Sequence, residues 1–200
     1  MSLSIKHAPL SDNPEALNLG PYMCVADANL RVISIFDDLK YDRADVDMMS
    51  PAMRNHAIAR LDPLGFKQVS GTVLKHHASG VCCFIPKVYA LGASPFDITR
   101  YTPLGEYDFY ILTPTQTACQ YVDFYSHAEA VERVKALIIR QPINLYKLLD
   151  YLERKSKHQE FANAIGHLRF VQREAVTSEP LKRRRALGRM IQQQFHYFCQ

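Results

Sequence analysis

No run of apolar residues in this sequence approaches the roughly 18 needed to cross a bilayer, so no membrane span is expected. Met1–Leu17 also lacks a basic stretch followed by an apolar one, and no secretory signal is expected. Glycine-rich phosphate loops are missing. Neither G-x-G-x-x-G nor G-x-x-x-x-G-K-S/T occurs, which removes the common nucleotide-binding turns. G-x-S-x-G is absent too, so a serine-hydrolase elbow is not indicated. There is no internal repeat and no low-complexity tract. Cysteine is sparse: the chain has 5, at Cys24, Cys82, Cys83, Cys119 and Cys199. An odd, scattered set fits reduced thiols of a cytoplasmic protein better than a disulfide framework.

What is present is an uneven distribution of charge. The net charge is +4, but residues 1–125 hold ten Lys/Arg against thirteen Asp/Glu, a balance of −3. Residues 126–200 hold fourteen against seven, a balance of +7. Segregation of this kind points to a polyanionic partner, or to attraction between the acidic and basic parts.

The first part reads as β-rich with one helix. Residues 1–21, with Pro9, Pro14, Gly20 and Pro21, read as an arm. Tyr22–Val25 and Leu30–Phe36 flank a turn at Ala26–Asn29 and predict a hairpin. Asp37–Asp47 is an acidic loop without the order of a calcium-binding hand. Ser50-Pro51 opens a helix to about Leu61, ended by Asp62-Pro63-Leu64-Gly65. Phe66–Lys75 and Val81–Leu91 predict a second strand pair around His77–Gly80. Residues 92–106 read as an irregular link, and Tyr107–Thr113 with Thr117–Tyr125 as a third pair around Pro114-Thr115.

After Tyr125 the period becomes helical. Ser126…Glu129 is a capping box opening a helix to about Arg140 with Val131, Val134, Leu137 and Ile138 inward. Pro142 opens the next helix, with Leu145, Leu148, Leu149 and Leu152 on one stripe. Ser156…Gln159 opens a third, carrying Phe161, Ile165 and Leu168. The expected fold class is α+β: mostly antiparallel β-hairpins with a helix over 1–125, then a four-helix part over 126–200.

The fourth helix, from Ser178 to Gln200, carries the densest positive charge. At 100° per residue, Leu187, Met190, Ile191, Phe195 and Phe198 share one arc. Lys182, Arg185, Arg189 and His196 oppose them, with Gln192 and Gln193 beside and Arg183 and Arg184 flanking. Pro180 suits the first turn, whereas Gly188 costs about 1 kcal/mol relative to alanine. A cation cluster in the first turns opposes the helix dipole by roughly 0.3–1 kcal/mol each, a cost that a bound anion relieves. Guanidinium forks match phosphate oxygens.

Other constellations are weaker. His76, His77, Cys82 and Cys83 have the composition of a metal site but not its spacing, since adjacent residues on a strand face opposite ways. A Cys–His nucleophile drawn from Cys82 or Cys119 with His77 or His127 is not selected by any spacing. The aromatics of Tyr107–Tyr125 would stack bases if exposed, although strand aromatics are ordinarily core. Asp97, Glu106 and Asp108 could hold Mg²⁺ in a nuclease, but the lysine that usually follows the second acid is absent.

The expectation is therefore a non-enzymatic nucleic-acid-binding protein without a cofactor or metal. Lys182, Arg183, Arg184, Arg185 and Arg189 would contact the phosphates of DNA or RNA, helped by Arg169 and Arg173 from the preceding helix. A protein-interaction subunit or homo-oligomer docking through the cationic helix is the alternative, and a metal-dependent nuclease the second.

Overall fold

Phe109, Tyr110, Ile111 and Leu112 are all buried, and together they form the central strand of a six-stranded mixed sheet. The computed structural model describes residues 23–35, 51–85, 108–153 and 158–178. These divide into two compact units, one comprising 23–35, 51–85 and 108–113 and the other 114–153 and 158–178.

In the first unit, strands β1 (Met23–Asp27) and β2 (Val32–Ile35) form the expected antiparallel hairpin. The Asp27 carboxylate accepts the Leu30 N–H at 2.8 Å, and Arg31 turns through a left-handed conformation (φ 52°). Helix α1 (Pro51–Leu61) follows the proline signal and buries Met53, Ala57 and Leu61, spaced four apart. It packs on strand β3 (Phe66–Ser70). Strands β4 (Val73–His76), β5 (Cys82–Phe84) and β6 (Phe109–Leu112) complete the sheet in the order β1-β2-β6-β5-β4-β3.

Two expectations need correction here. Phe66–Lys75 is not one strand but the hairpin β3/β4, folded at Gly71-Thr72, and β4 then pairs with β5 around His77–Gly80. The sheet is also not built of hairpins alone. β6 lies between β2 and β5 and is parallel to both, with Val32 opposite Tyr110 and Phe84 also opposite Tyr110. All four side chains of β6 are buried, so both faces of the strand are covered, which explains a continuous apolar run rather than an alternating one. Residues 1–21, 37–47 and 92–106 lie outside the described residues.

The second unit is helical. The third correction is Thr117–Tyr125, read as a strand but contained in helix α2 (Pro114–Phe124) up to Phe124. Pro114 takes the first turn, where its missing N–H has no partner to lose. Every residue from Pro114 to Val122 is buried, so no amphipathic stripe is visible and the Thr, Tyr and Val content imitates a strand. Helices α3 (His127–Arg140), α4 (Leu145–Glu153) and α5 (His158–Thr177) follow. Ser126 caps α3, accepting the Glu129 N–H at 3.5 Å; the Glu129 carboxylate pairs with Arg133 at 3.0 Å. The core comprises Ala130, Val134, Leu137 and Ile138 of α3, Leu145, Leu148 and Leu152 of α4, and Phe161, Ile165 and Leu168 of α5. The expected fourth helix lies outside the described residues. None of the described helices is long and apolar enough to cross a membrane.

Two glycines are expected to respond to alanine with opposite signs. Gly65 sits at φ +87°, and an added Cβ would meet His77 Cε1 at 2.8 Å and His76 Nε2 at 2.9 Å. Gly65→Ala should therefore destabilise by about 2 kcal/mol or more. Gly166 lies inside α5, and a Cβ there meets nothing within 4 Å. Gly166→Ala should stabilise by about 1 kcal/mol through helix propensity alone. Urea midpoints of the two variants, compared at constant m-value, check both signs.

Candidate nucleic-acid interface

Arg169 and Arg173 lie on α5, one turn apart, and both are exposed. Lys182, Arg183, Arg184, Arg185 and Arg189 lie outside the described residues. The charge balance separates along the same line. Residues 126–153 and 158–178 contain six Lys/Arg and six Asp/Glu. The cationic excess of 126–200 falls in 154–157 and 179–200, with eight Lys/Arg and Glu179 as the single acid.

The place of Tyr146 beside Arg169 depends on how α4 begins. Pro142 does not start the helix, as the sequence suggested; Asn144 does. Its side-chain oxygen accepts the N–H groups of Tyr146 (3.1 Å) and Lys147 (3.2 Å), a side-chain cap on the first turn. The Asn144 N–H donates to Thr115 Oγ1 of α2 at 2.9 Å. One residue earlier, Ile143 is held on both sides by Gln172 of α5. Its N–H donates to Gln172 Oε1 at 2.9 Å, and its carbonyl accepts from Gln172 Nε2 at 3.0 Å. The Tyr151 hydroxyl adds a hydrogen bond from α4 to Asp123 of α2.

These bonds fix Tyr146 in the first turn of α4, beside α5. Tyr146 is 69% exposed and Phe170 is 52% exposed. Each ring carries an arginine: Arg169 stands 5.9 Å from the Tyr146 centroid, and Arg173 stands 5.5 Å from that of Phe170. Glu174 lies 3.9 Å from Arg173, with both side chains largely exposed. The surface so formed alternates cations with open aromatic faces. It can offer guanidinium donors to anions and flat apolar faces to planar groups. Sequence reading found the two arginines but not the two rings. Their signal was present, since Tyr146 and Phe170 both fall off the apolar stripes of their helices.

The other constellations have structural duties. Cys82 and Cys83 face opposite sides of β5, and Cys83 is fully buried. Burial pushes the Cys83 thiol up, with Cys82 and Asp108 adding to it. Cys82 is raised as well, by burial first and then by the Asp108 carboxylate, with Lys75 opposing. Neither thiol has the depressed value of a nucleophile. His76 Nδ1 accepts the Ser79 N–H at 3.1 Å, and His77 Nδ1 donates to the Gly65 carbonyl at 2.9 Å. The two histidines thus secure the turns on either side of the β3–β4 hairpin. Cys119 is buried in α2, and His127 packs edge-on against Phe161. Asp108 accepts the Cys82 N–H at 3.1 Å, while Asp97 and Glu106 lie outside the described residues. No group of three or more metal-ligating side chains occurs among the described residues. The aromatics of 109–122 are core rather than a stacking face, with Phe109, Tyr110 and Tyr121 all buried.

Removing the Gln172 amide should expose how much α4 depends on it. Gln172→Ala leaves two part-buried backbone groups of Ile143 without their partners, at a cost of about 1–3 kcal/mol. Gln172→Glu keeps the acceptor half only and should fall between alanine and wild type. Denaturant unfolding of the three proteins tests this order, and wild-type stability in Gln172→Ala would contradict it.

No protein-family model matches this chain, and no curated protein or solved structure is significantly similar to it.

Proposed function

We propose that this protein binds nucleic acid as a non-enzymatic accessory factor of the cytoplasm. Lys182, Arg183, Arg184, Arg185 and Arg189 would carry the phosphate contacts, and Arg169 and Arg173 would extend them along α5. The observation that supports this reading is the segregation of charge. The described part of 126–200 is balanced at six cations to six acids, whereas eight cations and one acid are concentrated in 154–157 and 179–200. Cations in such excess over acids favour a polyanion, because each phosphate contact releases a condensed counterion. Binding of this type is sequence-independent to first order, and DNA and RNA are both ligands for it.

A second reading is a docking subunit. Asp37, Asp38, Asp42, Asp45 and Asp47 form an acidic stretch that could receive the cationic segment of another copy. It predicts a mass that rises with concentration and falls with salt, in the absence of nucleic acid. A nuclease built on Asp97, Glu106 and Asp108 has no specific observation in its favour, and the Asp108 carboxylate already serves the start of β5.

Fluorescence anisotropy with single-stranded and duplex oligonucleotides over a salt series tests the reading. With about six phosphate contacts, affinity for duplex should fall roughly a thousandfold between about 50 and 200 mM salt. Arg184→Glu/Arg185→Glu/Arg189→Glu should abolish binding while leaving the thermal melt unchanged. Absence of wild-type binding at about 50 mM salt, where such contacts are strongest, would falsify the proposal.

A further inference from the structure

We infer that the α4–α5 surface bearing Tyr146, Phe170, Arg169 and Arg173 receives the unpaired bases of a single-stranded nucleic acid. The inference rests on the proposed nucleic-acid reading and names the kind of strand. On α5, at 100° per residue, Arg173 falls between Arg169 and Phe170. Arg169 reaches from there to the Tyr146 ring of α4 at 5.9 Å. The two rings therefore border one continuous surface with a guanidinium beside each. Gly166 adds a bare patch of backbone to it. It precedes Phe170 by one turn and Arg173 by two, it is exposed, and nothing in the packing of α5 requires its missing side chain.

The chemistry selects the occupant. A base presents an apolar face to a ring and a phosphate to a cation at short repeat, which is the pattern that Tyr146/Arg169 and Phe170/Arg173 offer. Duplex bases are stacked on one another and cannot present their faces, so a single strand is required. The Arg173–Glu174 pair does not consume the cation, since both side chains are more than half exposed and such pairs are weak. Lys182 follows Arg173, the last residue of this surface, by nine positions in the sequence.

The test uses the full chain, an oligothymidine of roughly 20 nucleotides and a duplex of the same length, a span that covers several stacked bases. Tyr146→Ala/Phe170→Ala should weaken oligothymidine binding roughly tenfold or more, because each stacked base is lost outright. Duplex affinity and the salt slope should stay as in wild type, as should the thermal melt, since both side chains are exposed. Tyr146→Phe/Phe170→Tyr keeps both rings and should bind oligothymidine like wild type. Unchanged oligothymidine affinity in the alanine variant, with binding still lost in the arginine triple variant, would overturn the stacking surface and leave the nucleic-acid reading standing. An equal loss on oligothymidine and duplex would overturn it too, because stacking discriminates between them. If wild type binds neither probe, the nucleic-acid reading fails and this inference fails with it. A light-scattering mass that then drops in the alanine variant would mark the surface as a contact between copies.

Discussion

Burial of Phe109–Leu112 on both faces, with parallel partners along both edges, is the constraint on which the sheet depends. The strand contributed last by the chain occupies the middle. β1/β2 and β3/β4/β5 are local antiparallel pieces, each closed by a short turn. Neither piece has a complete sheet of its own until β6 lies between them. A parallel pair cannot be closed by a tight turn, so both of its contacts in the sheet are long in sequence. Loop-closure entropy must be spent before those contacts form, and the sheet is therefore expected to assemble its edges before its centre.

The helical unit answers a different demand. α2 is buried along nearly its whole length, although it carries Thr115, Gln116, Thr117 and Gln120. Buried polar groups need partners, and the short link between α3 and α4 supplies one of them. Ile143 and Asn144 bond to Gln172 of α5 and Thr115 of α2, and Asn144 then caps α4. Two consecutive residues thus tie three helices together through backbone groups, which keep the same geometry whatever side chains surround them. The position of Tyr146 next to Arg169 follows from this tie rather than from any direct attraction between the two side chains. At 5.9 Å, their contact is too long to set the helix positions by itself.

Charge in the second half of the chain is arranged in two ways. Along α3, ion pairs of neighbouring turns neutralise each other locally, as in Arg133–Glu129 and Lys135–Glu132. Such exposed pairs contribute little to stability but leave little net field. Residues 154–157 and 179–200 have one acid for eight cations, so nothing in their own sequence balances them. Helix α5, which carries Phe170, Arg169 and Arg173, ends at Thr177, just ahead of the second of these segments in the chain. The combination gives the proposed function two separable parts, a salt-dependent attraction to phosphate and a salt-independent affinity for base faces.

Sequence alone determined the features that rest on local chemistry. Ser126 as a cap, Pro51 as a helix start, Gly65 as a helix stop, the Leu145/Leu148/Leu152 and Phe161/Ile165/Leu168 stripes, and the opposite facing of Cys82 and Cys83 all depend on residues within one or two turns of each other. The β-branched and aromatic content of 117–125 misled, because intrinsic preference is weak beside complete burial and a helix buried all round shows no stripe. The division of 66–75 into two strands turned on Gly71-Thr72, a turn signal hidden inside an apparently continuous run. Tertiary structure alone decided the rest. It placed β6 between β2 and β5, it directed the Gln172 amide to a backbone 29 residues away, and it set Arg169 over Tyr146. Those are choices among partners distant in the chain, made by which arrangement buries the most apolar surface while giving most buried polar groups a bond.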